Sequence, residues 1–304
     1  MKKSKKSQIL LGILSALGAA VVSGISIAYA KMSVSQIDPF VLTFLRNSVA
    51  TFFIFLFIVF KSKTQKKTSI SSTDKIILTG LSVITGGVAF ALFFFGLSTT
   101  GSQTANIINK TLFLWVGIFA LITQRSFKKW MIVLYMGLLG AMWFLLPSEF
   151  YIGKGMWFVL GATFLWAGEQ LIFEKLLRRI PTHLVALTRM GVGSLTLFFI
   201  IGMMGKLPIL AQLSSSQIQT ALVGGGILAG YVGLWLVALR RISAVTTTIL
   251  LTLSTGVGAF ITGTIINISI SPSEIASFGI TLAVSTMLIF MMIGQEKQAR
   301  ILSS

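Results

Sequence analysis

Cysteine is absent from all 304 residues of the chain. A disulfide framework, a thiolate metal site and a Cys nucleophile are therefore excluded. There is one histidine, His183, so a histidine-rich metal centre is excluded as well. Charge is scarce: Asp, Glu, Lys and Arg make up 11% of the chain, where a soluble domain is nearer a quarter. Acidic residues are the scarcest, 7 against 25 Lys and Arg, which leaves a formal net charge of +18. What the chain does have is apolar bulk. Hydrophobic residues account for 55% of it and the mean hydropathy is +0.91. That composition belongs to a membrane protein. In a soluble protein the basic excess would suggest nucleic acid; here the positions of the charges point to membrane topology instead. Glycine runs such as Gly86-Gly87 and Gly224-Gly225-Gly226 are not followed by Gly-Lys-Ser/Thr, so they build no phosphate loop and ATP drive is not expected.

Apolar stretches long enough to cross a hydrocarbon core of roughly 30 Å recur along the chain. They lie near 8–29, 39–60, 75–97, 103–124, 130–147, 154–177, 182–204, 216–239, 242–268 and 274–294. The basic start MKKSKK resembles the head of a signal peptide, but the apolar run after it is too long and no small-residue cleavage site follows. It reads as a cytoplasmic tail and a first membrane helix. With ten helices and a cytoplasmic N-terminus, every second loop is basic, from Lys61–Lys75 through Arg125–Lys129, Lys175–Arg179 and Arg240–Arg241 to Lys297 and Arg300. The opposite loops hold Lys31, Lys154 and Lys206. This alternation follows the positive-inside rule and predicts a multi-pass protein of the inner or plasma membrane with both termini cytoplasmic.

The chain also repeats itself at an offset of about 142–143 residues. GAAVVSGISIAYAK (18–31) parallels GATFLWAGEQLIFEK (161–175), and VLTFLRNSVATFFIF (41–55) parallels LVALTRMGVGSLTLFF (184–199), which sets Arg46 opposite Arg189. GLSTTGSQTANIINKTLFL (96–114) parallels ALRRISAVTTTILLTLSTG (238–256). Two repeats, 1–147 and 148–304, would then hold five helices each. An odd number per repeat inverts the second relative to the first, as in many secondary transporters that rock about a midplane site. The expected fold is an all-α integral membrane protein of ten transmembrane helices in two inverted five-helix repeats.

Ten helices in two halves, with an Arg early in helices 2 and 7, resemble the EamA-type proteins of the drug/metabolite transporter superfamily. WAGEQLIFEKLLRR resembles that family's Trp-containing sixth helix and the basic loop after it. GLSTTGSQTANII and ALRRISAVTTTIL resemble its turn between helices 3 and 4 and the repeat of that turn. The chain departs from the family pattern in helices 4 and 9. Gln124-Arg125 and Ile266-Asn267 stand where Gly-Glu is frequent, Phe113 and Thr255 replace the usual Pro, and Ser23 stands in helix 1 where Trp is common. The resemblance implies a transporter, favours export and makes amino acids the commonest cargo.

Four charges fall inside the spans: Arg46, Lys110, Glu169 and Arg189. Intramembrane charges are costly and mark pathways by default. On helix 4, Gln103, Asn106 and Lys110 share one face with Asn109 on its flank, because helical neighbours recur at three, four and seven positions. The repeat places Val245, Thr248 and Thr252 on the same face of helix 9. Such stripes should turn inward, either toward a substrate or to bond neighbouring helices. On helix 6, Glu169 follows Trp166 by three positions, and its repeat partner in helix 1 is Ser26. Glu169 has two readings, a proton-exchanging group or an ion-pair partner of Lys110 or Arg189.

At 1.5 Å per residue, Lys110 and Glu169 differ in depth by roughly 9 Å, a gap that a small zwitterion would fill with its carboxylate on Lys110 and its ammonium on Glu169. The expected substrate-binding set is Gln103, Asn106, Asn109, Lys110, Trp166, Glu169, Thr248 and Thr252. Arg46 and Arg189, near the starts of their helices, are expected to gate or to hold structure.

These features predict a secondary transporter of a small polar or zwitterionic metabolite, working by alternating access about a central cavity. Proton coupling through Glu169 and uncoupled facilitation both stay open, as does the oligomeric state. The expected partners are the substrate and the lipid bilayer, with no nucleic acid, no cofactor, no metal and no catalytic residue. A facilitative channel or a lipid scramblase is the second reading, and saturable flux with counterflow separates a carrier from either. An intramembrane enzyme is the third, and it would have only Lys110 and Glu169 to work with.

Overall fold

The structure is a computed structural model that describes residues 5–61, 70–100, 102–124, 129–146, 153–266 and 270–301. Among these residues the regular structure is entirely helical. Helices α1 (Lys5–Ser33) and α2 (Pro39–Lys61) are followed by α3 (Ser72–Leu81), which runs through a π-helical stretch, Ser82–Val88, into α4 (Ala89–Thr99). Next come α5 (Ser102–Lys110), α6 (Leu112–Gln124) and α7 (Lys129–Trp143). The later part of the chain forms α8 (Lys154–Leu176), α9 (Thr182–Met203), the short α10 (Leu207–Ala211) and α11 (Ser215–Leu239). It closes with α12 (Ala244–Leu251), α13 (Ser254–Ile266) and α14 (Pro272–Ile301).

Eight helical stretches among the described residues are long and apolar enough to cross a membrane. Two shorter apolar helices, Ile107–Thr123 and Trp130–Trp143, occupy the remaining two places where the sequence predicts spans. The shortfall at the first of them has a local cause, since its leading segment, SQTANIINK, is polar. Large side chains such as Phe55, Phe60, Phe199 and Phe290 are exposed on the helix bundle, while Thr43, Asn47, Ser82, Thr85 and Gln170 are buried. Apolar surface outside and polar groups inside is the arrangement that a lipid environment selects.

The predicted helices 3, 4 and 9 are interrupted rather than continuous. In helix 3 the cause is a close crossing. The π stretch lies directly on α9, so that a Cβ on Gly86 would strike the carbonyl oxygen of Arg189 and one on Gly193 would lie 2.8 Å from the Gly86 Cα. Only glycine permits that approach. Side chains bond the π carbonyls: Trp166 Nε1 donates to Thr85 O (3.0 Å) and Asn47 Nδ2 to Gly86 O (2.8 Å). In helix 9 the break falls at Thr252-Leu253 without a proline. Hydroxyls there bond local carbonyls instead, Thr252 to Ile249 O (2.5 Å), Ser254 to Leu251 O (2.6 Å) and Thr255 to Thr252 O (2.9 Å). Such bonds compete with the helix ladder and loosen it. Helix 4 breaks at Thr111, whose Oγ1 donates to Ile108 O (2.7 Å).

Candidate functional site

A cavity of about 730 Å³, counting its open mouth, lies between the first-half helices α1, α2, α4, α5 and α6 and the second-half helices α8, α9 and α11. Six aromatic rings line it, those of Phe90, Phe93, Phe94, Trp166, Tyr231 and Trp235. Arg46, Arg189 and Glu169 supply its charge, and Asn109, Gln170, Ser23 and Ser26 add uncharged polar groups.

Glu169 and Arg189 are 1% and 3% exposed. They form a two-point ion pair, Nε to Oε1 at 2.7 Å and Nη2 to Oε2 at 2.9 Å. Thr85 also donates from Oγ1 to Glu169 Oε1. The Arg189 guanidinium stands over Phe90 (5.3 Å to the ring centroid) and over Trp235 (5.1 Å). Trp235 is itself held by Gln170, whose Oε1 accepts from Nε1 at 2.8 Å, and stacks parallel to Tyr231. Glu169 takes Nε and Nη2, and Met190 Sδ accepts from Nη1 at 3.4 Å, so each nitrogen of this buried guanidinium has a partner. The crossing of α9 over the π stretch brings these groups together, because it sets Arg189 beside Thr85.

The same construction recurs with one change around Arg46. Its Nη2 donates to Ser26 Oγ at 2.9 Å, and its guanidinium stands over Phe94 at 5.2 Å. Twenty residues separate Arg46 from Ser26, and 20 separate Arg189 from Glu169. A hydroxyl thus occupies the place of the carboxylate.

Lys110 is elsewhere. Its Nζ donates to Ser254 Oγ, joining the end of α5 to the start of α13 across the breaks in helices 4 and 9. It lines a second, smaller cavity of about 250 Å³ with Thr252, Thr255, Ser277 and Thr281. Of the predicted binding set, Asn109, Trp166 and Glu169 line the large cavity, and Lys110 and Thr252 line the small one. Glu169 takes Arg189 as its ion-pair partner rather than Lys110. Thr248 is buried and bonds the carbonyls of Ala244 and Val245 in its own helix. Gln103 and Asn106 lie on α5, with side chains outside the described residues. Arg46 and Arg189, expected to gate or to support, both line the large cavity. The sequence reading passed over Trp235 and Tyr231. Trp235 had a usable signal, since the repeat that aligns 96–114 with 238–256 sets it opposite Phe93, another ring of the cavity.

Residues 10–146 match the family model of the EamA-like transporter family. This half of the chain belongs to that family. The family is part of the drug/metabolite transporter superfamily, and with the apolar helices it makes the EamA-like chain a multi-pass membrane protein of transporter type. A solved crystal structure, described simply as that of a protein, superposes on 95% of this chain and 100% of its own with a TM-score of 0.73, at 13% sequence identity. That likeness concerns the fold. No curated protein sequence matches the chain.

Proposed function

We propose that the chain is a secondary transporter built of two inverted five-helix repeats, 1–147 and 148–304, that moves a small metabolite by alternating access. The single observation behind this reading is the large cavity, which draws one arginine from each half at equivalent positions. Helix packing supports the repeat. The contact of α1 with α11 has its counterpart in α8 with α4, that of α2 with α11 in α9 with the π stretch, and that of α1 with α13 in α8 with α6. The contacts α2–α9 and α7–α14 join helices that the repeat equates. Two bodies related in this way can exchange roles, each opening the shared site to one face.

In this reading the protein sits in the inner or plasma membrane with both termini cytoplasmic and exports a small polar or zwitterionic metabolite, amino acids being the first class to test. Glu169 is the one carboxyl lining the cavity among the described residues, so proton exchange, where it occurs, runs through it. The test is reconstitution into liposomes preloaded with unlabelled solute, followed by uptake of labelled solute. Saturable uptake accelerated by the internal load is the expected result. Flux linear in concentration and indifferent to the load would make the protein a channel, and scrambling of labelled lipid without solute flux would make it a scramblase.

A further inference from the structure

The two arginines of the cavity do not have equal needs. Arg189 gives Nε and Nη2 to the two oxygens of Glu169 and Nη1 to Met190 Sδ. Arg46 is 3% exposed, and its one hydrogen bond goes to an uncharged hydroxyl, Ser26 Oγ. Its Nε and Nη1 are buried and have no hydrogen-bond partner. Among the described residues it has no carboxylate within ion-pair distance; the four ion pairs there use Glu174, Asp74, Glu169 and Asp38. A guanidinium carries five N–H donors and keeps its charge at any physiological pH. Buried without a counter-charge, it is a poor structural element and a good anion receptor.

The cavity as a whole carries the same message. Its charged lining consists of Arg46, Arg189 and Glu169, so that once the ion pair is closed one positive charge remains. The Lys110 ammonium belongs to the other cavity.

We propose that Arg46 anchors the carboxylate of the transported solute. The inference rests on the transporter reading above and names the chemistry of its cargo. A carboxylate that takes the place of Ser26 Oγ on Nη2 gains Nη1 as its second donor, an end-on two-point grip, where Arg189 holds Glu169 side-on through Nε and Nη2. The rest of the solute then lies among Phe90, Phe93, Phe94 and Trp166, rings that favour a compact apolar or aromatic body. The shared chemistry is one carboxylate on such a body, and two sources carry it, an amino acid and a simple organic acid. Ser26 brings only a short uncharged hydroxyl to this place, whereas Glu169 fills its counterpart with a carboxylate.

The experiment uses the purified full-length protein, with thermal unfolding followed against phenylalanine, phenylacetate and the uncharged phenylacetamide. At least one of the two carboxylates should raise the melting temperature in a saturable way, and the amide should not. A shift with phenylalanine alone or with both points to amino acids, and a shift with phenylacetate alone to simple organic acids. Arg46→Gln should weaken carboxylate binding at least about tenfold, and Arg46→Lys should restore part of it. Ser26→Glu is the second arm. It supplies Arg46 with an internal acid, so it should raise the melting temperature of the ligand-free protein and abolish the carboxylate shift. The proposal is overturned if neither carboxylate shifts the wild type, if the amide binds as well as the acids, or if Arg46→Gln and Ser26→Glu bind as wild type does. Saturable counterflow of an uncharged solute under any of those results would leave the transporter standing and remove only the anchor.

Discussion

Arg189 grips both oxygens of Glu169 across 20 residues of chain, while Arg46 reaches the same distance back along its own half and meets the hydroxyl of Ser26. One site is self-neutralised and the other is not. The asymmetry lies within a single cavity, so its two arginines should respond differently to mutation.

Glu169→Gln leaves Arg189 buried without a counter-charge. Breaking one side of a buried ion pair costs about 3–5 kcal/mol, and the expected result is a large drop in melting temperature in detergent. Replacing both residues together, Glu169→Met with Arg189→Met, should recover most of that loss, since no charge is then stranded. If the single and double variants unfold alike, the pair does not act as a unit.

Lys110→Met removes the ammonium that spans the breaks of helices 4 and 9 at Ser254. The side chain lines the small cavity, so the maximal counterflow rate should fall by about tenfold or more with the half-saturating concentration little changed. A half-saturating concentration that rises in step would place Lys110 on the cargo instead.

Gly193→Ala inserts a methyl group against the backbone of Gly86, and overpacking of this kind costs about 1–3 kcal/mol. Gly191→Ala, two positions earlier in α9, meets only Thr51 Cγ2 at an ordinary 3.5 Å. It should be neutral, or stabilising by about 0.4–1 kcal/mol through the unfolded chain. Melting temperatures of the two variants, measured side by side, check the crossing.

Asp38 both caps α2 and pairs with Lys206. Its Oδ1 accepts from Phe40 N (3.0 Å) and Val41 N (3.2 Å), and its Oδ2 lies 2.5 Å from Lys206 Nζ. Asp38→Asn keeps a capping oxygen and loses only the ion pair, so its deficit should shrink as salt is raised. Asp38→Ala loses both, costs about 1 kcal/mol more and keeps that extra deficit at high salt. Equal deficits for the two at high salt would remove the cap from the account.

The parts of this protein that the sequence makes legible are those written along one dimension. Hydrocarbon thickness demands long apolar runs, and eight of them appear as helices long enough to cross, with two shorter ones where spans 103–124 and 130–147 were expected. The breaks at Thr111 and Thr252 were not legible, because no proline marks them and runs of hydroxyl residues loosen the backbone only in company. The pairing of Lys110 with Glu169 was argued from depth alone. Depth along the membrane normal says nothing of which way a helix is turned, and the two residues line different cavities.

By itself the sequence determined that this is a multi-pass membrane protein of transporter type, and that four charges lie within its apolar spans. It determined that much because the cost of charge in hydrocarbon is paid residue by residue along the chain. Only the tertiary structure decided the partners: Arg189 with Glu169, Lys110 with Ser254, and Arg46 with a hydroxyl where the other half has an acid. Those choices depend on how each helix is rotated about its axis. Close crossings such as that of Gly86 on Gly193 set the rotation, and a crossing exists only once both helices are packed.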